Sequence, residues 1–311
     1  MSILGIEEAV FGVTDRQKAV RFLDDFGLKR TRSGKFGANY NCVDGTVVKI
    51  RDYKNTSLPK AIGPKSNIRE VIWGVERKSD IKTIADELGR DRSVEYCKDG
   101  SIRTVDDMGL GIGFKVSIRK KIKVSETEFN YPGKAVRKDN PATFYERAIP
   151  QCISHIVFGV PDIQVVEEFY CGRLGFRVTD RYPNRGVFMR SAPNGNHHNL
   201  FVLNIDSRKP KFDHLAFKVN DIHEVIGGGQ FLTKKGWKTR VGPGRHYISS
   251  ACFWYFISPL GGALEYCADE DIMTEKWKPR SFNVGPEIFS EWTFNADSTF
   301  RAPAASSKSK R

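Results

Sequence analysis

All six histidines of this 311-residue chain fall in its second half: His155, His197, His198, His214, His223 and His246. Two of them sit in apolar runs of strand type, CISHIVFGV around His155 and KFDHLAFKV around His214. A third such run, GGALEY, ends near Glu265. A carboxylate placed among such neighbours is costly unless it is paired or coordinates a metal. Two imidazoles and one carboxylate are the facial donor set that suits non-haem Fe(II), with coordination positions left open for other ligands. The plainer reading is three residues with unrelated structural tasks, because a lone histidine in a strand is more often structural.

A repeat decides between the two. Residues 9–15 read AVFGVTD and residues 156–162 read IVFGVPD. In both copies a short strand is followed by an acidic N-cap (Asp15, Asp162), an amphipathic helix and a glycine turn into another strand. A later pair, VIWGVERKSD from Val71 and LAFKVNDIHE from Leu215, again reads strand then helix. The pattern predicts an α+β fold of four βαβββ units in two tandem modules, each curled into a partly open β-barrel or cup. The first module is placed at 1–118, a connector at 119–150 and the second module at 151–268. An aromatic-bearing extension over 269–311 follows, a possible lid, whose basic tail 301–311 reads as disordered. Glu8 aligns with His155 and Glu70 with His214. The fold is duplicated but the polar set is not, which implies one active cup and one structural cup without metal.

Composition narrows the class. An apolar fraction of 40% with 12% aromatics is that of a globular chain. No run long enough to span a membrane and no basic leader before an apolar stretch is found, so a cytoplasmic protein without membrane contact is expected. The six cysteines form no CxxC pair and read as reduced thiols. The net charge of +13 invites a nucleic-acid partner. The basic residues are scattered, however, and no nucleic-acid-binding motif accompanies them, so the expectation is no nucleic acid. Steering of an anionic small substrate is the more economical use of that field.

Between Gly242 and Tyr266 the chain runs GPGRHYISSACFWYFISPLGGALEY. With His155, His214 and Glu265 as ligands, and His198, His246 and Tyr255 beside them, this resembles the type I extradiol catechol dioxygenases of the vicinal-oxygen-chelate superfamily. The likeness covers most of 1–268 in architecture, with its specific motifs all in 151–268. That family's signature runs from a His through an apolar-Tyr pair and an Asp-Pro-x-Gly turn to the ligand Glu. Here Trp254 stands where a smaller aliphatic residue is usual, and Ser258 where Asp is usual. The GPGRH opening is similar to the homoprotocatechuate branch.

The resemblance implies an oxidoreductase that opens a catecholic ring next to its diol with O2, giving a 2-hydroxymuconic semialdehyde-type product. It implies Fe(2+) as cofactor, Mn(2+) in fewer members, and a homo-oligomer, tetramer or larger. It makes His198 the acid/base, with His197 as the neighbouring candidate on the opposite strand face. Tyr255 and His246 would bond the substrate oxygen from two sides. His223, after Asn220-Asp221, reads as a surface residue at a helix start. The rivals on the same fold are a metal-dependent glyoxalase-like isomerase or lyase, and a non-catalytic small-molecule-binding module. For the ring substituent, the basic balance and Arg245 hint at an acidic group, and Trp254 and the many phenylalanines at a bulky aryl group.

Overall fold

The computed structural model describes residues 1–294 apart from 64, 66 and 125, and without the side chains of 286 and 287. The expected disordered stretch 301–311 lies outside the described residues. Eight strands form the first sheet: β1 (Ile3–Val13), β2 (Lys29–Gly34), β3 (Gly37–Asn41), β4 (Val47–Asp52), β5 (Asn67–Val75), β6 (Glu95–Tyr96), β7 (Ile102–Val105) and β8 (Gly111–Val116). Their order across the sheet is β2-β3-β4-β1-β5-β8-β7-β6. Helix α1 (Arg16–Asp25) follows β1, and α2 (Lys78–Leu88) follows β5.

The second sheet repeats this plan with β9 (Cys152–Val160), β10 (Arg177–Tyr182), β11 (Gly186–Arg190), β13 (Leu200–Asn204), β14 (Lys211–Lys218), β15 (Thr239–Arg245), β16 (Cys252–Ile257) and β17 (Ala263–Ala268). A short β12 (Gly195–Asn196) lies outside it. In each sheet a parallel pair flanks an antiparallel seam: β1 with β4, β1 with β5 and β5 with β8 in the first. The second has β9 with β13, β9 with β14 and β14 with β17. This is the α+β arrangement of four βαβββ units in two tandem modules that the repeat implied.

The caps form as the sequence dictates. Asp15 accepts from the amide of Lys18 and Asp162 from that of Gln164, each meeting an orphan donor of its helix. Helix α3 (Ile163–Glu167) then widens into a π-helical turn over 168–173. Helix α4 (Ile222–Lys234) packs so closely on β16 that a Cβ at Gly229 would come 2.0 Å from the Trp254 ring.

One apolar core runs through both sheets. Phe11 meets Phe212 edge-on at 5.5 Å, Phe26 stacks on Tyr266 at 4.2 Å, and Trp73 meets Phe176 at 5.1 Å. A buried polar contact joins the modules as well: the Tyr170 hydroxyl donates to Asp106 at 2.8 Å. Burial pushes the Asp106 carboxyl up to about 7, against the hydrogen bonds from Leu110 and Tyr170 that favour its charge. The folded value lies above the ordinary one, so the folded chain holds this proton more tightly than the unfolded chain. The associated stability is fully present below about pH 4 and is lost as pH rises to about 7, a change on the order of 4 kcal/mol. Asp106→Asn is expected to flatten the melting-temperature profile across that window, as followed by circular dichroism.

The segment 119–150 carries only an isolated bridge, Tyr131 with Lys134, among its described residues. It is tied down by Arg119, which donates to Glu7 at 2.7 Å, and by the Ile149 amide, which donates to Glu224 at 2.8 Å. Beyond 268 the chain returns to the second sheet twice, as β19 (Arg280–Ser281) on β10 and β20 (Trp292–Thr293) on β15, and β18 (Ile272–Met273) pairs with β12 in a separate two-stranded sheet. All six cysteines are unpaired. No helix of the described residues is long and apolar enough to cross a membrane.

Candidate metal centre

Three neighbouring strands bring His155, His214 and Glu265 together. The seam register sets His155 opposite Ala216 and His214 opposite Val157, while the parallel pair sets Ala216 against Glu265. All three side chains therefore emerge on one face at the middle of the sheet. His155 Nε2 and His214 Nε2 each lie 3.3 Å from Glu265 Oε2, and 3.4 Å from one another. Donors bound at about 2.1 Å to one ion stand roughly 3.0 to 3.4 Å apart for angles between 90° and tetrahedral. The triangle has that size.

The other nitrogen of each ring is already engaged. His214 Nδ1 donates to Asp213 Oδ2 at 2.6 Å, and His155 Nδ1 lies 3.3 Å from the Ser154 hydroxyl. Arg240 grips the same Asp213 through both carboxylate oxygens, at 2.6 and 3.1 Å. An imidazole tethered at Nδ1 presents Nε2 as a lone-pair donor, the arrangement that orients metal-binding histidines. Glu265 is fully buried, and neither of its oxygens makes a hydrogen bond. A buried anion facing two bare imidazole nitrogens fits a divalent cation.

Around this triangle stand the other expected residues. His198 lies beside His155, ring centroids 4.0 Å apart. Desolvation and the neighbouring His155 push the His198 pKa well below its ordinary value. His197, which like His198 lies between β12 and β13, directs Nε2 to Asp180 at 3.0 Å, while its Nδ1 stands 3.1 Å from His198 Nδ1. His246 Nε2 and the Tyr255 hydroxyl are 3.0 Å apart, and Tyr255 packs edge-on to His214 at 4.9 Å. His246 Nδ1 donates to the backbone oxygen of Phe289, from the segment beyond 268. His223 is exposed on α4, away from this group.

Neither Trp254 nor Arg245 turns toward this group. Trp254 lies on the far face of β16 against α4, its indole nitrogen donating to Thr239 at 2.9 Å. Alternation alone separates it from Tyr255. Arg245 pairs with Asp269 at 2.9 Å and Glu291 at 3.7 Å. The wall next to His198 is apolar instead: Phe188, Phe201, Val157 and Ile248 form one buried cluster, with Phe188 5.1 Å from the His198 ring.

Sequence reasoning missed Asp213, Arg240, Asp180 and Glu270. Asp213 had a signal, an acidic residue adjoining a candidate ligand. Glu270, buried, lies 3.4 Å from His198 Nδ1 and 3.1 Å from Lys218 Nζ, so its charge is met within the chain.

The first sheet shows why its cup is different. Glu8 and Glu70 stand at the sites corresponding to His155 and His214, with Glu8 opposite Ile72 and Glu70 opposite Val10. Gly113 and Arg103, paired across β7 and β8, correspond to Glu265 and Tyr255. Glu8 forms ion pairs with Lys49 and Lys115, and Glu70 pairs with Arg103 at 2.9 Å. Ammonium and guanidinium groups there take the place a cation would hold.

Residues 152–266 match the family described as the Glyoxalase/Bleomycin resistance protein/Dioxygenase superfamily. Metapyrocatechase 2 of Cupriavidus necator is 32% identical over 149 residues, 47% of this chain and 46% of that protein. The chain thus aligns with under half of this curated relative's length. The Mn(II)-bound glyoxalase from Novosphingobium aromaticivorans superposes with a TM-score of 0.76 at 20% identity, covering 98% of this chain and 95% of the other. An extradiol ring-cleaving dioxygenase from B. fuscum gives 0.74 at 18% identity, covering 96% and 81%. At these identities the structural likeness is one of fold. The sheet order and the triangle of candidate donors agree with the match to the Glyoxalase/Bleomycin resistance protein/Dioxygenase superfamily over 152–266.

Proposed function

We propose that the chain is an extradiol dioxygenase that opens a catecholic ring with O2 at an Fe(2+) held by His155, His214 and Glu265, giving a 2-hydroxymuconic semialdehyde-type product. The observation that carries the reading is the buried Glu265 carboxylate, without a hydrogen bond, facing two bare imidazole nitrogens. The relative that is 32% identical bears the name of a catechol-cleaving enzyme and supports the choice of reaction. Bound Fe(2+) would supply a Lewis acid that holds the diol and O2 side by side. Mn(2+) suits the same donors.

The chain's own residues do the rest. Tyr255 and His246 offer a hydroxyl and an imidazole to the substrate oxygens and orient the ring. His198 stands where it can take a proton from the diol and return it later. The apolar wall of Phe188, Phe201 and Ile248 excludes water beside it, and Arg245 is already paired, so a catechol with an apolar substituent fits best. In this reading 151–268 carries the chemistry, 1–118 is its structural sister, and the extension beyond 268 serves as the lid. Assembly as a tetramer or larger belongs to the same proposal.

The test is purification without oxygen, loading with Fe(2+), and aerobic addition of alkyl- and aryl-substituted catechols. The expected result is a yellow ring-opened semialdehyde and consumption of one O2 per catechol. A glyoxalase-like isomerase would leave catechols untouched and turn over a hemithioacetal. A binding module would hold neither metal nor product.

A further inference from the structure

Asp180 and His197 are fully buried, and nothing above gives them a task. They form a chain of contacts that ends on His198. Arg280, from β19 beyond the second module, donates to Asp180 through its backbone amide at 2.9 Å and through Nη2 at 2.7 Å. Its guanidinium lies over the Trp277 ring at 4.6 Å and the Phe282 ring at 5.0 Å, which fixes its place. Asp180 Oδ2 lies 3.0 Å from His197 Nε2, and His197 Nδ1 lies 3.1 Å from His198 Nδ1.

The protons on this chain can be assigned from donor and acceptor chemistry. A carboxylate gripped by arginine only accepts, so His197 Nε2 carries the hydrogen. The tautomer of an imidazole is set by the bond its other nitrogen makes. His197 Nδ1 is then the bare acceptor, and His198 Nδ1 must donate to it. Glu270 Oε1, 3.4 Å from the same His198 Nδ1, favours a hydrogen there too.

We propose that Asp180 and His197, anchored by Arg280, are positioning residues that fix His198 as its Nδ1–H tautomer and leave Nε2 as its lone-pair nitrogen. The extension beyond 268 thereby sets the state of a residue in the cup. The consequence for turnover rests on the dioxygenase reading; the tautomer does not.

Nitrogen-15 NMR of the metal-free protein, with His198 assigned by loss of its signal in His198→Gln, reads the tautomer directly. The expected result is Nδ1 protonated and Nε2 bare in His198, with the reverse in His197. A His198 protonated at Nε2 overturns the proposal. Two variants separate positioning from packing. His197→Phe fills the space without an acceptor, whereas His197→Asn offers an amide oxygen near the Nδ1 position. Under the relay, Asn keeps the His198 tautomer and most of kcat, while Phe mixes the tautomers and lowers kcat about tenfold or more with KM nearly unchanged. A merely structural role gives the opposite order, with Phe tolerated better, and refutes the relay. Absence of turnover on any catechol, with the tautomer as assigned, would defeat the dioxygenase reading and leave the relay standing.

Discussion

Glu265→Gln is expected to abolish metal binding. The substitution keeps the side-chain volume and removes the one negative charge of the donor triangle. Two imidazoles remain, a weaker set with no charge to offset the desolvation of a divalent ion. Metal content after loading and desalting should fall to under about a tenth of the wild-type value, read by elemental analysis. Thermal melting offers an independent readout. A ligand that binds only the folded state stabilises it by about 4 kcal/mol at a thousandfold excess over its Kd. Fe(2+) or Mn(2+) should therefore raise the wild-type melting temperature and leave that of the variant in place. Without metal the variant is expected to be no less stable than the wild type, because the wild-type carboxylate is buried with neither oxygen hydrogen-bonded. Unchanged iron content in Glu265→Gln would remove Glu265 from the ligand set.

His198→Phe should behave in the opposite way, keeping metal and losing turnover. The residue touches the ring of His155 and stands outside the triangle of His155, His214 and Glu265, and the Glu270 carboxylate that groups with it and His155 is already met by Lys218. Phenylalanine fills the same place against Phe188 and has no nitrogen with which to move a proton. Loss of a general acid/base slows a reaction roughly 10²- to 10⁴-fold, and kcat should fall by that much in a steady-state assay of semialdehyde formation. Iron content should match the wild type. Full activity in this variant would deny His198 the role, since His197 Nε2 is already taken up by Asp180.

Much of the centre could be read before any coordinates. The offset between AVFGVTD and IVFGVPD placed Glu8 against His155, and the strand registers reproduce that correspondence. The alternation expected of His197 and His198 does not apply, because both lie between β12 and β13; along β16 the same rule would have placed Trp254 behind Tyr255. The misreading of Trp254 came from counting aromatics without their parity. Arg245 misled for another reason: its partners, Asp269 and Glu291, come from other parts of the chain.

Local pattern determined the duplicated architecture, the helix caps and the choice of three candidate donors, because hydrophobic period and residue type act within a few positions. Only the tertiary structure decided how those donors are held. Asp180 meets Arg280 a hundred residues away, and Asp213 meets Arg240 across two strands. Lysine and arginine fill the sister cup where the second cup leaves a buried anion open to a cation. Such pairings follow from where the sheet folds the chain back on itself, and spacing along the sequence carries no trace of them.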